Sequence, residues 1–326
     1  MLQTNYIVII PAYNEESTIL DCLDHVVHAS RATNGYSLEK IIVCINGCTD
    51  ETKKLVKSWT GAPLDVIESP AGYVNAMNRL FRYAKKYHPD SIMIKTDADG
   101  KVDSSAFSQL FTQLELHSDL IVIGGHPTPL PSGSKNPYRR LMSNLLSVRS
   151  RTPEAEITVA DTTKFHPYAS TDPIHILKGR EKKLKVYFHG RLWCARTAQS
   201  IPLLPQGVIG DDVYLPGWLL NHYGPRSMRV DYRAHVRFHP NDSLVRHWKV
   251  YRRIHEDRKL VYTIKGFEEY AEACPLKLDW KYILKTCPIH EIIYFMLYAV
   301  LVYIEKLTYR LSPYRAVYWQ YRKKEV

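Results

Sequence analysis

No C-x-x-C pair occurs in this chain of 326 residues. Its six cysteines, Cys22, Cys44, Cys48, Cys194, Cys274 and Cys287, are scattered. Such spacing argues against a zinc site, a redox motif or a disulfide framework, and favours a reducing compartment. Internal repeats and low-complexity tracts are also missing. The opening MLQTNYIVII has neither a basic n-region nor a small-residue cleavage site, and its apolar run ends at Pro11. It reads as a first strand and not as a signal peptide, so a cytoplasmic protein is expected. What is there is globular composition, 45% hydrophobic and 24% charged. That excludes a disordered chain, a collagen-like fibre and a disulfide-stapled miniprotein. The 44 Lys and Arg exceed the 33 Asp and Glu by 11. This excess predicts anionic partners: nucleic acid, nucleotide phosphates or an acidic membrane surface.

The first half alternates strand and helix patterns. Apolar runs at 6–10, 41–45, 64–68 and 91–95 are separated by helical stretches from Asn14 to about Ala29, from Glu51 to Trp59 and from Asn75 to Tyr87. Repeated β-α units with short loops imply a doubly wound, mostly parallel α/β sheet with helices on both faces. Ligands of such sheets lie outside the carboxyl ends of the strands. The second half is less regular. Strands are expected at 120–125, 186–195 and 230–239, and helices at 138–150, 211–223 and 244–258. Residues 151–185 are polar, with the character of a loop.

Thr96-Asp97-Ala98-Asp99-Gly100 places two carboxylates one residue apart at a strand end. Hard oxygen donors of this kind suit Mg²⁺ or Mn²⁺ carrying a diphosphate, although D-x-D is also common in plain turns. Four further segments share its setting: Pro11-Ala-Tyr-Asn-Glu15 after the first strand, Asn46-Gly-Cys-Thr-Asp50 after the second, Ala71 to Asn78 before the third helix, and Gly210-Asp-Asp-Val213 much later. In order, spacing and strand context, residues 5–258 resemble a family 2 glycosyltransferase of the GT-A fold.

That resemblance implies an inverting transferase using a nucleotide-sugar donor, with UDP the first expectation and GDP the second. Tyr13 matches the position packed against the base, with Pro11 and Ala12 lining the pocket and Glu15 near the ribose; an aromatic face offers a base a flat apolar platform. Asn46 stands where many relatives carry an aspartate, which leaves the base open. Asp50 is equally well a helix cap. Asn78 keeps a polar position near the donor, and Arg79 is a candidate positive charge where relatives have a lysine. Asp97, Ala98 and Asp99 match the donor-binding D-x-D, with Asp97 near the ribose or the metal and Asp99 the direct ligand of Mn²⁺ or Mg²⁺. His239 is the candidate third ligand, and His235 competes with it. Asp212 matches the general base, with Asp211 orienting the acceptor; the plain alternative is an acidic pair complementing a helix dipole. Arg191, Trp193 and Arg246 are candidates for acceptor or phosphate contacts, against core packing for Trp193. The Q-x-x-R-W string of processive synthases is absent.

The resemblance divides the chain at 258: a GT-A domain over 1–258, with a nucleotide-sugar half to about 125 and an acceptor half over 126–258, then a helical, aromatic and basic extension over 259–326. Within the extension, Ile292 to Ile304 is uncharged. As a helix it would span roughly 20 Å, short of the about 30 Å hydrocarbon core. A buried or oligomeric helix and one lying in a membrane interface are both consistent with it. The interleaved aromatic and basic residues that follow, to Lys324, suit an anionic membrane surface, a placement favoured because the resemblance implies a lipid-linked or other glycan acceptor. Three other readings are weaker. A nucleotidyltransferase would carry a Gly-rich phosphate loop where this chain has Ala12-Tyr-Asn-Glu15. A nucleic-acid binder has no motif here to support it. A non-catalytic assembly subunit does not need Asp97, Asp99 and Asp212.

Overall fold

The first apolar run serves two faces of a sheet at once. In β1 (Thr4–Ala12), Ile7 and Ile9 enter one hydrophobic cluster and Tyr6, Val8 and Ile10 enter the other, all of them fully buried. Side chains of a strand alternate between faces, so a strand covered on both sides reads as continuously apolar. The computed structural model describes residues 4–152, 155–158, 188–273 and 276–311. Most of the polar stretch 151–185, residues 186 and 187, Cys274 and the aromatic and basic run beyond Leu311 lie outside the described residues.

β1 pairs in parallel with β2 (Tyr36–Asn46) and with β4 (Ile92–Thr96), and β2 pairs in parallel with β3 (Leu64–Ser69). The crossovers are α1 (Ile19–Arg31), α2 (Thr52–Ser58) and α3 (Tyr73–Tyr87). α1 buries Ile19, Cys22, Leu23, Val26 and Ala29, the 3.6-residue stripe of a helix lying on a sheet. It starts five residues later than the sequence pattern indicates. Asn14 adopts a left-handed φ of 52°, so the chain makes a turn through residues 14–18 before the helix begins.

Eight strands form the main sheet in the order β3-β2-β1-β4-β8-β6-β9-β5. The second half contributes β6 (Val122–Pro129), β8 (Leu192–Ala195) and β9 (Met228–Phe238), with β5 (Lys101–Val102) at the edge. β8 runs antiparallel to both β4 and β6 and sets Trp193 beside Lys95. β5 and α4 (Ala106–Leu116), which buries Phe107, Leu110, Phe111 and Leu114, fall in a stretch for which the sequence pattern indicated no element.

α5 (Pro137–Arg151) begins with a proline in its first turn, and the Asn136 side chain accepts from the amides of Tyr138 and Arg139. β7 (Glu156–Thr158) follows it. α6 (Asp211–Tyr223) and α7 (Leu244–Val261) sit behind the carboxyl end of the sheet, and α7 runs past residue 258. Beyond them lie α8 (Glu268–Ala273), β10 (Leu276–Leu278), which pairs antiparallel with β7, then α9 (Trp280–Thr286) and α10 (Ile289–Leu311). Met142, Leu145 and Val148 of α5 form a separate cluster with Ile283, Phe295 and Tyr298 of the extension. Arg151 reaches Glu291 through two nitrogens, at 3.1 and 2.9 Å.

The C-terminal helix corrects one expectation. α10 has 23 residues, not the 13 of its uncharged run. At 1.5 Å per residue it is about 34 Å long. By length and composition it could cross a bilayer, and it is the one such helix among the described residues. The helix runs through His290, which stays exposed, Glu291, which pairs with Arg151, and Glu305, which is buried facing His247 of α7.

Candidate active site

The carboxyl ends of β1, β2 and β4 bring the expected donor loops together. The loop after β1 is tied to the loop after β2 by a set of short polar contacts. The Asn14 side chain accepts from the Thr49 amide at 2.8 Å, the Glu15 amide donates to Thr52 Oγ1 at 2.7 Å, and Cys48 Sγ donates to the Ala12 carbonyl at 3.3 Å. Asp50 accepts from the Thr52 amide at 3.1 Å and from the Glu16 amide at 3.1 Å, so it both caps α2 and joins the loops. Pro11, Ala12 and Tyr13 are buried in this junction; Tyr13 is 7% exposed. Glu15 is half-buried, and its carboxylate accepts from Thr18 Oγ1 at 2.8 Å. Asn46 ends β2 almost fully buried, beside Ser69 at 3.4 Å. Gly47 has φ +65°, and a Cβ there would fall 2.9 Å from that of Ala71, so only glycine lets the two loops approach this closely.

Asn78 does not join this group. Its amide donates to the Leu204 carbonyl at 2.8 Å and accepts from the Leu204 amide at 2.7 Å, which commits it to holding α3 against the chain before α6. Arg79 is exposed on the outer side of α3.

Asp97, Ala98 and Asp99 follow β4 directly. Arg191 donates to Asp99 Oδ1 at 2.7 Å and lies 3.8 Å from Asp97 Oδ2, with its guanidinium 4.3 Å from the Phe238 ring centre. Two hard oxygen donors thus converge on one cation. This donor set fits a Mg²⁺- or Mn²⁺-sized ion whose other positions are filled by phosphate oxygens and water, rather than an all-protein cage. Among the described residues no three His, Cys, Asp or Glu side chains are gathered to hold a metal. His239 is exposed just past the end of β9, while His235 is engaged with Thr128 Oγ1 at 2.9 Å.

The sequence pattern passed over the centre of the site. Lys95, fully buried on β4, donates to Asp97 Oδ1 and to the Gly190 carbonyl, and its ammonium lies 5.6 Å from the Tyr73 ring centre. Burial works against ionisation of Asp97, but Lys95 and Arg191 outweigh it and hold the carboxyl below its ordinary range. The same ammonium acts on the acidic pair of α6, whose two carboxyls it draws toward ionisation. A lysine inside an otherwise apolar, doubly covered strand was the available signal, because such a charge must be answered from within.

Asp211 and Asp212 open α6 in different surroundings. Asp211 is 2% exposed and accepts from Tyr73 Oη at 2.7 Å and from Trp193 Nε1 at 2.8 Å, so both its oxygens are held. Of the two readings open for Trp193, acceptor contact and core packing, the fold shows core packing: it is fully buried beside Phe81 and Phe188, and its indole N–H donates to Asp211. Asp212 is half-buried and takes no hydrogen bond within the described residues. Burial raises the proton affinity of both carboxyls, with Arg253, Lys95 and Arg258 opposing it at Asp212. Gly190 makes this meeting feasible: a Cβ there would lie 3.0 Å from Asp211 Oδ1 and 3.2 Å from Asp212 Cβ. Arg246 is exposed on the first turn of α7, apart from these carboxylates.

One cluster therefore contains a cation-facing D-x-D and an acidic pair with one oxygen set left open, at the carboxyl end of a mostly parallel sheet. Among solved structures, a mannosyltransferase from Pyrobaculum calidifontis in complex with GDP-Man and Mn²⁺ is 14% identical, with a TM-score of 0.54 over 96% of this chain and 81% of that one. Glucosyl-3-phosphoglycerate synthase from Mycobacterium tuberculosis, in complex with Mn²⁺, UDP-Glc and phosphoglyceric acid, is 17% identical over 78% of each chain, with a TM-score of 0.46. At such identities the first likeness speaks for the fold and the second carries no weight. No curated protein matches the chain. The family model described as glycosyl transferase family 2 matches residues 7–172, a span that begins in β1 and includes the loops after β1, β2, β3 and β4. This chain is a glycosyltransferase belonging to family 2.

Proposed function

We propose that this enzyme moves a sugar from a nucleotide diphosphate sugar, UDP first and GDP second, to a hydroxyl acceptor in one in-line displacement. The observation that supports this reading is the meeting of the D-x-D with the acidic pair: Lys95 joins Asp97 to the Gly190 carbonyl, and Gly190 packs directly against Asp211 and Asp212. Tyr13, Pro11 and Ala12 border the base, Glu15 and Asp97 the ribose, and Asp99 the diphosphate. Asp211, held by Tyr73 and Trp193, orients the start of α6. Asp212, with its raised proton affinity and open oxygens, takes the proton of the attacking hydroxyl. Inversion at the anomeric carbon follows from a single displacement.

Asp97 and Asp99 are the residues that would hold Mn²⁺ or Mg²⁺, with His239 available from the loop after β9. When bound, such an ion supplies Lewis-acid stabilisation to the departing nucleoside diphosphate. Arg191, already between the two carboxylates, carries positive charge to the same place.

The acceptor is a lipid-linked or other glycan, and the enzyme works in the cytoplasm against an anionic membrane surface. α10 supports this placement. Ile289, Ile293, Met296, Leu297, Val300, Ile304 and Leu307 are exposed along one side of it. The chain of net charge +11 then continues with Arg315, Arg322, Lys323 and Lys324 among Tyr314, Tyr318, Trp319 and Tyr321. An apolar helical face flanked by basic and aromatic residues is the pattern of an interfacial helix.

The test is release of nucleoside diphosphate from a panel of UDP-, GDP-, CDP- and dTDP-sugars, with Mn²⁺ and with water or added acceptor. One donor class should be turned over, and Asp212→Asn should lose turnover by roughly 100-fold or more with donor affinity kept. Full turnover by Asp212→Asn would remove Asp212 from the role of base.

A further inference from the structure

α6 begins without a cap of its own. Its N-cap residue is Gly210, which has no side chain to offer, yet the two residues after it are Asp211 and Asp212. The amides before the helix are satisfied from a distant element. Asp257, near the end of α7, accepts from the Ile209 amide at 2.8 Å through one oxygen and from the Gly210 amide at 3.0 Å through the other. Its side chain is 3% exposed. A Cβ on Gly210 would stand 2.9 Å from Asp212 Oδ1 and 3.3 Å from Asp257 Oδ2, so the two carboxylates flank the same glycine.

We infer that Asp257 is a positioning residue for glycosyl transfer: its carboxylate grips the Ile209–Gly210 backbone and thereby sets where Asp212 points and how firmly it holds a proton. The inference rests on Asp212 being the base. Two hydrogen bonds to consecutive amides fix a peptide in both position and rotation, which a single bond cannot do. The second effect is electrostatic. Two carboxylates flanking one glycine repel, and each favours the protonated form of the other. Burial first, and then Asp212, raises Asp257 itself to about 7, while Arg253 and the two amides oppose the rise. A carboxyl raised this far would change charge near neutral pH. The neighbouring Glu256 accepts from Tyr309 Oη, so the same turn of α7 is also fastened to α10.

Asp257→Asn keeps the shape and one acceptor but removes the charge and the second acceptor. Hydrolysis of UDP-Glc and of GDP-Man with Mn²⁺ is measured across pH 5–9 for wild type, Asp257→Asn and Asp212→Asn. The expected result for Asp257→Asn is a fall in kcat of roughly 10- to 100-fold with donor KM unchanged, and an acidic limb of the kcat profile moved to lower pH. A purely structural role would lower Tm without moving that limb. Native kcat and an unmoved limb in Asp257→Asn, with Asp212→Asn inactive, would overturn this inference and leave the base in place. Full activity in Asp212→Asn would overturn the base assignment itself. A second measurement needs no turnover: in wild type labelled with ¹⁵N-glycine, the Gly210 amide signal should titrate with a midpoint near 7. A Gly210 signal flat between pH 5 and 9 would equally overturn the inference, including where Asp257→Asn fails to fold.

Discussion

Lys95 pairs with Asp97 and lies near an aromatic face, and its removal would take from Asp97 its closest cation and from Asp211 and Asp212 part of the positive charge that opposes their burial. Breaking a buried ion pair by deleting one partner costs about 3–5 kcal/mol. Lys95→Met should therefore lower Tm by roughly 10 °C, as read by thermal unfolding at neutral pH. A Tm within 2 °C or so of wild type would show that the lysine is not the charge that holds the two sides together. Arg191 differs, being at the mouth of the site and paired with Asp99 at 2.7 Å. Arg191→Ala should make the protein less stable in EDTA and more responsive to Mn²⁺, because the cation then relieves two facing carboxylates. Equal Mn²⁺ shifts in variant and wild type would contradict that. Asp97 contributes to the acid side of the stability profile. Its folded-state affinity for a proton is below normal, so its contribution is complete above pH 3.8 and disappears as the pH falls through the lower folded value.

Among the elements, α10 is the one whose chemistry is hardest to reconcile with its surroundings. Glu305 is fully buried in it, 3.4 Å from His247 of α7, and neither of its oxygens has a hydrogen-bond partner. Burial raises Glu305 to about 7 and lowers His247 to about 4, so the two face each other uncharged through much of the range between. A carboxyl whose folded value is raised stabilises the fold at low pH and loses that contribution as the pH rises through 7. Glu305→Gln should thus raise Tm by several degrees at pH 8 and leave it nearly unchanged at pH 4.5. A uniform shift at both values would mean that the carboxyl does not titrate there. The same element shows what the sequence leaves illegible. The strands and helices up to β4 were readable because their burial is written locally, as a continuous apolar run in β1 and as a stripe near period 3.6 in α1. The D-x-D and the acidic pair were readable because each is a local string. Tertiary facts were not: Glu305 ended a run of uncharged residues in the sequence but continues the helix in the fold. Lys95 and Trp193 become functional only because β8 inserts antiparallel beside β4. Asp257 is separated by 47 residues from the amide that it holds at Gly210, so no local string could have revealed it.

At the scale of the molecule, two cores lie on either side of the sheet, and a third, smaller one joins α5 to the extension. The described part of the extension, to Leu311, is fastened to α5 through Arg151 and Glu291 and to α7 through Tyr309 and Glu256. Its outward face is apolar. Co-sedimentation with vesicles containing anionic phospholipid should therefore capture the protein, with neutral vesicles capturing much less and added salt weakening the binding. Val300→Asp combined with Ile304→Asp should lose vesicle binding by roughly 10-fold or more while keeping Tm, because both side chains are about half exposed. Undiminished binding by that variant would place the contact elsewhere.

The central claim is that Asp97 and Asp99 form the donor site of a nucleotide-sugar transferase. Thermal stabilisation tests it most directly, with UDP, GDP, CDP and dTDP each added with Mn²⁺ or with EDTA, to wild type and to Asp99→Ala. One nucleotide should raise Tm only when the metal is present, and should fail to do so in Asp99→Ala. A shift of the same size in EDTA or in Asp99→Ala, or no shift with any nucleotide in Mn²⁺, would contradict the account.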